Sequence, residues 1–139
     1  MNKEEIKNIL PHREPMLLVD SSEQINENES LGKYKIKGNE FFLQGHFPNN
    51  PVVPGVILCE MMAQSCCILL AEKSKNSTPY FTSLDKVKFK NKVLSGDELV
   101  SKCSIIKQKG PFYFCQGKGY VEDTLCVSAE FSFALIENK

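Results

Sequence analysis

Two side chains combine a type and a setting that suit proton transfer. His46 lies in the segment Gly45-His46-Phe47-Pro48-Asn49-Asn50-Pro51-Val52-Val53-Pro54-Gly55, and Glu60 is the only charged residue between Gly55 and Ala71. Prolines at 48, 51 and 54 fix φ repeatedly and stiffen a loop that lacks a regular hydrogen-bond ladder. Such a loop is a suitable mount for one imidazole. Burying a carboxylate is unfavourable unless the group is paired or protonated, and apolar surroundings favour the neutral form that a proton donor needs. Each residue also has a bland alternative: a structural histidine with satisfied hydrogen bonds, or a glutamate that reaches solvent or pairs with a lysine. Gly55 adds a third element, an amide at the start of an expected helix, where the first N–H groups lack intrahelical acceptors. An amide there suits a polarised carbonyl or an oxyanion. Base, acid and N–H donor together describe proton abstraction beside a carbonyl. The second histidine, His12 in Leu10-Pro11-His12-Arg13, is read as structural. Two histidines without matched carboxylate spacing argue against a metal site.

The elements that must position these groups follow from periodicity. The segment from Gly55 to about Lys73 has no further Gly or Pro, is rich in Leu, Met and Ala, and is apolar nearly all round, so it predicts a helix buried on most sides. Lys3 to Leu10 predicts a short helix halted by Pro11. Asn26 to Ser30 is a polar loop. Tyr34 and Ile36 alternate with Lys33, Lys35 and Lys37, and Val87 and Phe89 alternate with Lys86, Lys88 and Lys90, as in half-buried strands. Ser95-Gly96-Asp97, Gly110-Pro111 and Glu122-Asp123 are turns bounding strands from Leu99 to Lys107, from Phe112 to Val121, and from Leu125 onward. Turns this short imply antiparallel pairing. One long buried helix and a meandering sheet have one economical arrangement, an α+β domain spanning 1–139 with the antiparallel sheet wrapped around the helix.

Composition excludes several classes. The 139 residues are 42% hydrophobic and 24% charged with zero formal net charge, so no global field draws nucleic acid or an anionic membrane. No 18-residue apolar run or signal-peptide core is present, and the expected location is the cytoplasm. The six cysteines form no CxxC pair and read as reduced, mostly small core hydrophobes.

The residues from Phe41 to Pro48, from Pro51 to Val56 and from Glu60 to Gln64 resemble the signature of the FabZ-type 3-hydroxyacyl-[acyl-carrier-protein] dehydratases. Leu10-Pro11-His12-Arg13, Leu17-Leu18-Val19-Asp20, Leu84-Asp85-Lys86-Val87-Lys88-Phe89 and Gly96-Asp97-Glu98-Leu99 resemble other parts of that family, so the likeness spans nearly the whole chain. Glu14 departs from it, standing where many relatives have an aromatic, and Lys92 and Ser95 replace common prolines. The resemblance implies a hotdog fold and catalytic residues at His46 and Glu60. It further implies a homodimer with sheets joined edge to edge, often assembled into a hexamer as a trimer of dimers. The expected reaction is dehydration of a 3-hydroxyacyl thioester to the trans-2-enoyl thioester in fatty acid biosynthesis, without a cofactor. The isomerising FabA-type relatives usually carry Asp at the position of Glu60. On this reading the Gly55 N–H takes the thioester carbonyl, His46 is the general base and Glu60 the general acid. Gln64, one helical turn after Glu60, is a candidate to stand beside the substrate and orient Glu60, the alternative being a plain helix residue near the dimer seam. Residues 73–118 carry ten lysines, which with Arg13 form a candidate dock for an acidic acyl carrier protein. Two other classes share features with this one. A hotdog thioesterase would direct water to the thioester carbon without the Gly-His-Phe-Pro loop, and a non-catalytic acyl-binding module would need neither His46 nor Glu60.

Overall fold

The computed structural model describes residues 1–73 and 76–138. Six strands form one antiparallel sheet: β1 (Ser21–Asn26), β2 (Glu29–Lys35), β3 (Ser77–Phe89), β4 (Glu98–Lys109), β5 (Phe112–Val121) and β6 (Thr124–Glu137). Their order across the sheet is β1-β2-β4-β5-β6-β3. Helix α1 (Lys3–Lys7) precedes the sheet, and helix α2 (Gly55–Cys66) packs against its inner face. This is the hotdog fold, a sheet curved around one central helix.

The alternation expected of the strands decides which residues meet α2. Tyr113, Cys115, Gly117 and Gly119 of β5 are buried, while Phe112, Phe114, Gln116 and Lys118 face outward. Leu99, Ser101 and Cys103 play the inward role on β4, as do Val127, Ala129, Phe131 and Phe133 on β6. Against them α2 buries Leu58, Cys59, Met61, Met62, Ala63, Gln64, Ser65 and Cys66. Each large apolar side chain fully buried in this way contributes about 1.5–3 kcal/mol. Close approach needs small residues: a Cβ on Gly32 would overlap the Ser65 hydroxyl, so glycine lets the helix settle onto β2. All six cysteines are buried and free, in agreement with their reading as core residues.

Several boundaries differ from expectation. The central helix stops at Cys66, and its last turn tightens into a 3-10 helix over Cys67–Leu70, a common way to close a helix end. Helix α1 ends at Lys7, three residues early, although Leu10 N still bonds Ile6 O at 2.9 Å. The Asn26–Ser30 loop contracts to a tight turn, because β1 and β2 run into it from both sides. Strand β1 has no sequence signature; its residues are mostly exposed and it is held by pairing to β2. The alternation in β3 is interrupted by a register shift between Asp85 and Lys88, and Lys86 there has φ +50°. Phe89 ends that strand 55% exposed rather than in the core. No helix of the described residues is long and apolar enough to cross a membrane.

Candidate active site

The His46 loop is fastened at both ends. Leu43 closes a short 3-10 turn (Phe41–Leu43) whose carbonyl accepts His46 N–H at 3.3 Å, and Gly45 adopts φ +82°, a conformation open to glycine at little cost. Farther along, Val52 N donates to His46 O at 2.8 Å and Val53 N donates to Val93 O at 2.9 Å. Upstream, Glu40 anchors the turn. Its carboxylate accepts the Tyr34 hydroxyl at 2.8 Å and the backbone N–H groups of Lys37 and Gly38 at 2.9 and 2.8 Å. Partial burial pushes the Glu40 carboxyl up, but these donors together outweigh it and hold the group below the usual carboxylate range.

The imidazole itself is oriented by one hydrogen bond. His46 Nδ1 lies 2.9 Å from the Val52 carbonyl, which can only accept, so Nδ1 carries the proton in the neutral ring. Nε2 then keeps its lone pair. The Phe47 ring stacks on the imidazole at 4.2 Å between centroids. His46, Gly55, Val56 and Phe89 share the wall of a cavity of about 560 Å³. Gly55 opens α2 after Pro54, and its N–H has no acceptor among the described residues. A Cβ at Gly55 would come within 2.6 Å of the Phe89 ring, so that ring lies directly over the helix start.

Glu60 is on the other side of the helix start and lines a second, smaller cavity of about 150 Å³ with His12, Gln64, Cys67, Pro79, Tyr80 and Phe81. Its side chain is 21% exposed, so the carboxylate sits at a cavity mouth rather than sealed in the core. Gln64 is 1% exposed and its amide is fully engaged. Nε2 donates to Glu60 Oε2 and to the Met16 carbonyl, both at 2.8 Å, and the amide oxygen accepts Leu18 N–H at 2.7 Å. Gln64 thus contacts Glu60 through a direct hydrogen bond. Burial, aided by the nearby Cys115 and Glu60, pushes the Cys67 thiol up and leaves it a neutral wall. Among the described residues, no group of three or more His, Cys, Asp and Glu is placed to hold a metal ion.

Within one chain, then, the structure places Glu60 with Gln64 and His46 with Gly55, in separate cavities. His12, read as structural from the sequence, lies against Glu60: its Nε2 is 3.4 Å from Glu60 Oε2. The sequence reading missed this contact; the signal that could have found it is the Leu10-Pro11-His12-Arg13 motif, whose geometry depends on Arg13. The Arg13 guanidinium donates to the carbonyls of Lys7, Leu10 and His12. It is thus committed inward, holding the end of α1 to the His12 loop, rather than offered to a partner. Glu14, beside it, forms ion pairs with Lys7 and Lys3 at 3.4 and 3.9 Å. Lys90 and Lys92 lie at the mouth of the His46 cavity, Lys86 pairs with Glu130 at 3.6 Å, and Lys75 lies outside the described residues.

Residues 10–130 match the model of the FabA-like domain family. A 3-hydroxyacyl-[acyl-carrier-protein] dehydratase FabZ from Clostridium perfringens is 44% identical over 137 residues, covering 97% of this chain and 99% of its own. The enzyme of the same name from Petrotoga mobilis is 43% identical over 131 residues, covering 94% of each chain. In fold, the chain is similar to the dehydratase heterocomplex ApeI:P from Xenorhabdus doucetiae, with a TM-score of 0.81 at 18% identity over 94% of this chain and 90% of that one. A hypothetical thioesterase crystallised with coenzyme A, from Streptococcus pneumoniae, superimposes with a TM-score of 0.64 at 12% identity, covering 86% and 87% of the two chains.

Proposed function

The chain belongs to the FabA-like family, on its FabZ dehydratase branch, and we propose that His46 and Glu60 carry out its reaction as general base and general acid. The substrate is a 3-hydroxyacyl thioester on acyl carrier protein and the product is the trans-2-enoyl thioester. The observation that carries this assignment is the 2.9 Å contact of His46 Nδ1 with the Val52 carbonyl, which leaves the Nε2 lone pair free on a ring that lines a cavity.

The steps follow from that arrangement. The thioester carbonyl accepts the free Gly55 N–H at the positive end of α2, which stabilises the enolate-like charge as the C2–H bond breaks. Nε2 of His46 takes the C2 proton. The C3–O bond then breaks as Glu60 gives its proton to the leaving hydroxyl, and water departs. Return of the proton from His46 to Glu60 resets the pair. Gln64, whose three hydrogen bonds are already filled by protein groups, holds Glu60 rather than the acyl chain.

A complete site needs a second copy of the chain. Strand β3 is a sheet edge that exposes Tyr80, Phe81, Leu84 and Phe89, an apolar row that calls for cover. Its first residues, Pro79 to Phe81, border the Glu60 cavity, and its last, Phe89, borders the His46 cavity. Antiparallel pairing of β3 with its two-fold mate lays the first end of one strand beside the last end of the other. The His46 cavity of each subunit then adjoins the Glu60 cavity of its partner. On this reading residues 1–139 form one catalytic domain of a cytoplasmic homodimer, which further assembles as a trimer of dimers.

Two measurements test the reading. Supplied with a 3-hydroxyacyl thioester, the enzyme should generate enoyl absorbance without releasing free thiol; thiol release would instead indicate a thioesterase. Mixing inactive His46→Ala with inactive Glu60→Gln under subunit exchange should restore activity. Random exchange makes half the dimers mixed, each with one intact site of two, so about a quarter of wild-type activity should return. Confirmed exchange with no recovery would reject the shared site.

A further inference from the structure

We propose that His12 is a positioning residue for Glu60, sharing with Gln64 a single carboxylate oxygen so that the other is left to face substrate. The inference rests on Glu60 being the acid. Its basis is the one-sided arrangement of donors around that carboxylate. Gln64 Nε2 lies 2.8 Å from Oε2 and His12 Nε2 lies 3.4 Å from the same oxygen. Oε1 has no hydrogen-bond partner among the described residues, and it is not among the sealed, unpartnered atoms, so it opens to the cavity.

The state of the His12 ring follows from its second nitrogen. Nδ1 is buried and has no hydrogen-bond partner among the described residues. A proton on Nδ1 would be an unsatisfied buried donor, whereas a proton on Nε2 has the Glu60 oxygen as acceptor. His12 is accordingly the Nε2–H tautomer, and that nitrogen lies 3.4 Å from Oε2, close enough to close into a hydrogen bond when charge develops there. With Gln64 bonded to Oε2 and His12 beside the same oxygen, the transferable proton resides on Oε1, and the charge left after its departure is stabilised on the oxygen away from substrate. The loop that holds His12 is itself fixed, because Arg13 ties its carbonyl to those of Lys7 and Leu10. The clasp fixes the backbone from which the ring projects.

Removing a donor to a charged group should lower kcat on the order of 10- to 100-fold while leaving KM nearly unchanged, because the contact matters as charge develops. The variants are His12→Ala, which deletes the donor, and His12→Gln, whose terminal amide reaches the same place as Nε2. Circular dichroism and gel filtration check that both remain folded and assembled. Expected results are a drop in kcat for His12→Ala and recovery to within several-fold of wild type for His12→Gln. The same His12→Ala change should add no further loss to the residual rate of Glu60→Gln, since the group it positions no longer transfers a proton. Equal loss from His12→Ala in both backgrounds, failure of His12→Gln to recover, or a wild-type kcat for His12→Ala would each overturn the positioning role. Near-wild-type turnover by Glu60→Gln alone would instead overturn the assignment of Glu60 as the acid.

Discussion

Replacing Gln64 with Leu should cost both stability and turnover, for reasons that its hydrogen bonds make countable. The side chain is 1% exposed and bridges three groups: Leu18 N–H, the Met16 carbonyl and Glu60. Leucine has similar bulk and no polar atoms, so it fills the space and keeps water from replacing the amide. Leu18 is buried, and its N–H then stays unsatisfied at a cost of about 1–3 kcal/mol. Met16 is 40% exposed, so its carbonyl regains solvent and adds a smaller cost. The sum is about 1–4 kcal/mol, which lowers Tm by roughly 3–15 °C for a chain of this size. Urea unfolding followed by circular dichroism, at fixed protomer concentration and with an unchanged m value, reads this directly. Glu60 also loses its 2.8 Å donor, so kcat should fall on the order of tenfold or more. Gln64→Glu separates the two effects. It keeps an acceptor for Leu18 N–H and so retains more stability, but it sets a second carboxyl beside Glu60 and should remain impaired. A loss below about 0.5 kcal/mol for Gln64→Leu would show that Leu18 N–H does not depend on this amide, and the reasoning would fail.

Gly55→Ala should leave unfolding nearly unchanged, since the exposed Phe89 ring can swing away, yet lower kcat/KM at least about tenfold by pushing that ring into the His46 cavity; unaltered steady-state kinetics would contradict the tight helix start. Glu40→Gln should flatten the acid dependence of stability. The folded Glu40 carboxyl lies below its unfolded value, so its contribution is present above the unfolded range and is lost as pH falls through the folded one. For this largely solvent-screened group the pH-dependent advantage of wild type over the variant is about 1 kcal/mol at most, present at neutral pH and fading as pH falls below about 4, and parallel acid titrations of the two proteins would disprove it. Raising salt should increase KM for a carrier-linked substrate more than for a coenzyme A thioester, if Lys90 and Lys92 at the cavity mouth meet an acidic carrier; equal responses would remove these lysines from the docking surface.

The sequence by itself determined the type of most elements. Alternation in 112–121 is a property of the side chains, and it survives because one face of the strand meets the helix, whereas in 124–137 Cys126, Ser132 and Ala134 of the opposite face are buried too. An all-round apolar segment behind a proline-rich loop likewise had only one place to go, the middle of the sheet. Local chemistry even sufficed for the Gln64 to Glu60 contact, since residues four apart on a helix face the same way. Tertiary structure decided the rest. Strand β1 exists through pairing with β2, and pairing is not a property of its own residues. Val87 and Phe89 alternate like core residues, yet β3 is a sheet edge: Val87 is only partly buried against the core, and Phe89 stays uncovered within one chain. The separation of His46 and Glu60 into different cavities, and the arrival of His12 at Glu60 across 48 residues of chain, depend on how loops are carried by a packed scaffold. Periodicity reports which face of an element is buried; it carries no information about which distant loop is pressed against that face, because that is set by packing and long-range hydrogen bonds such as those of Arg13.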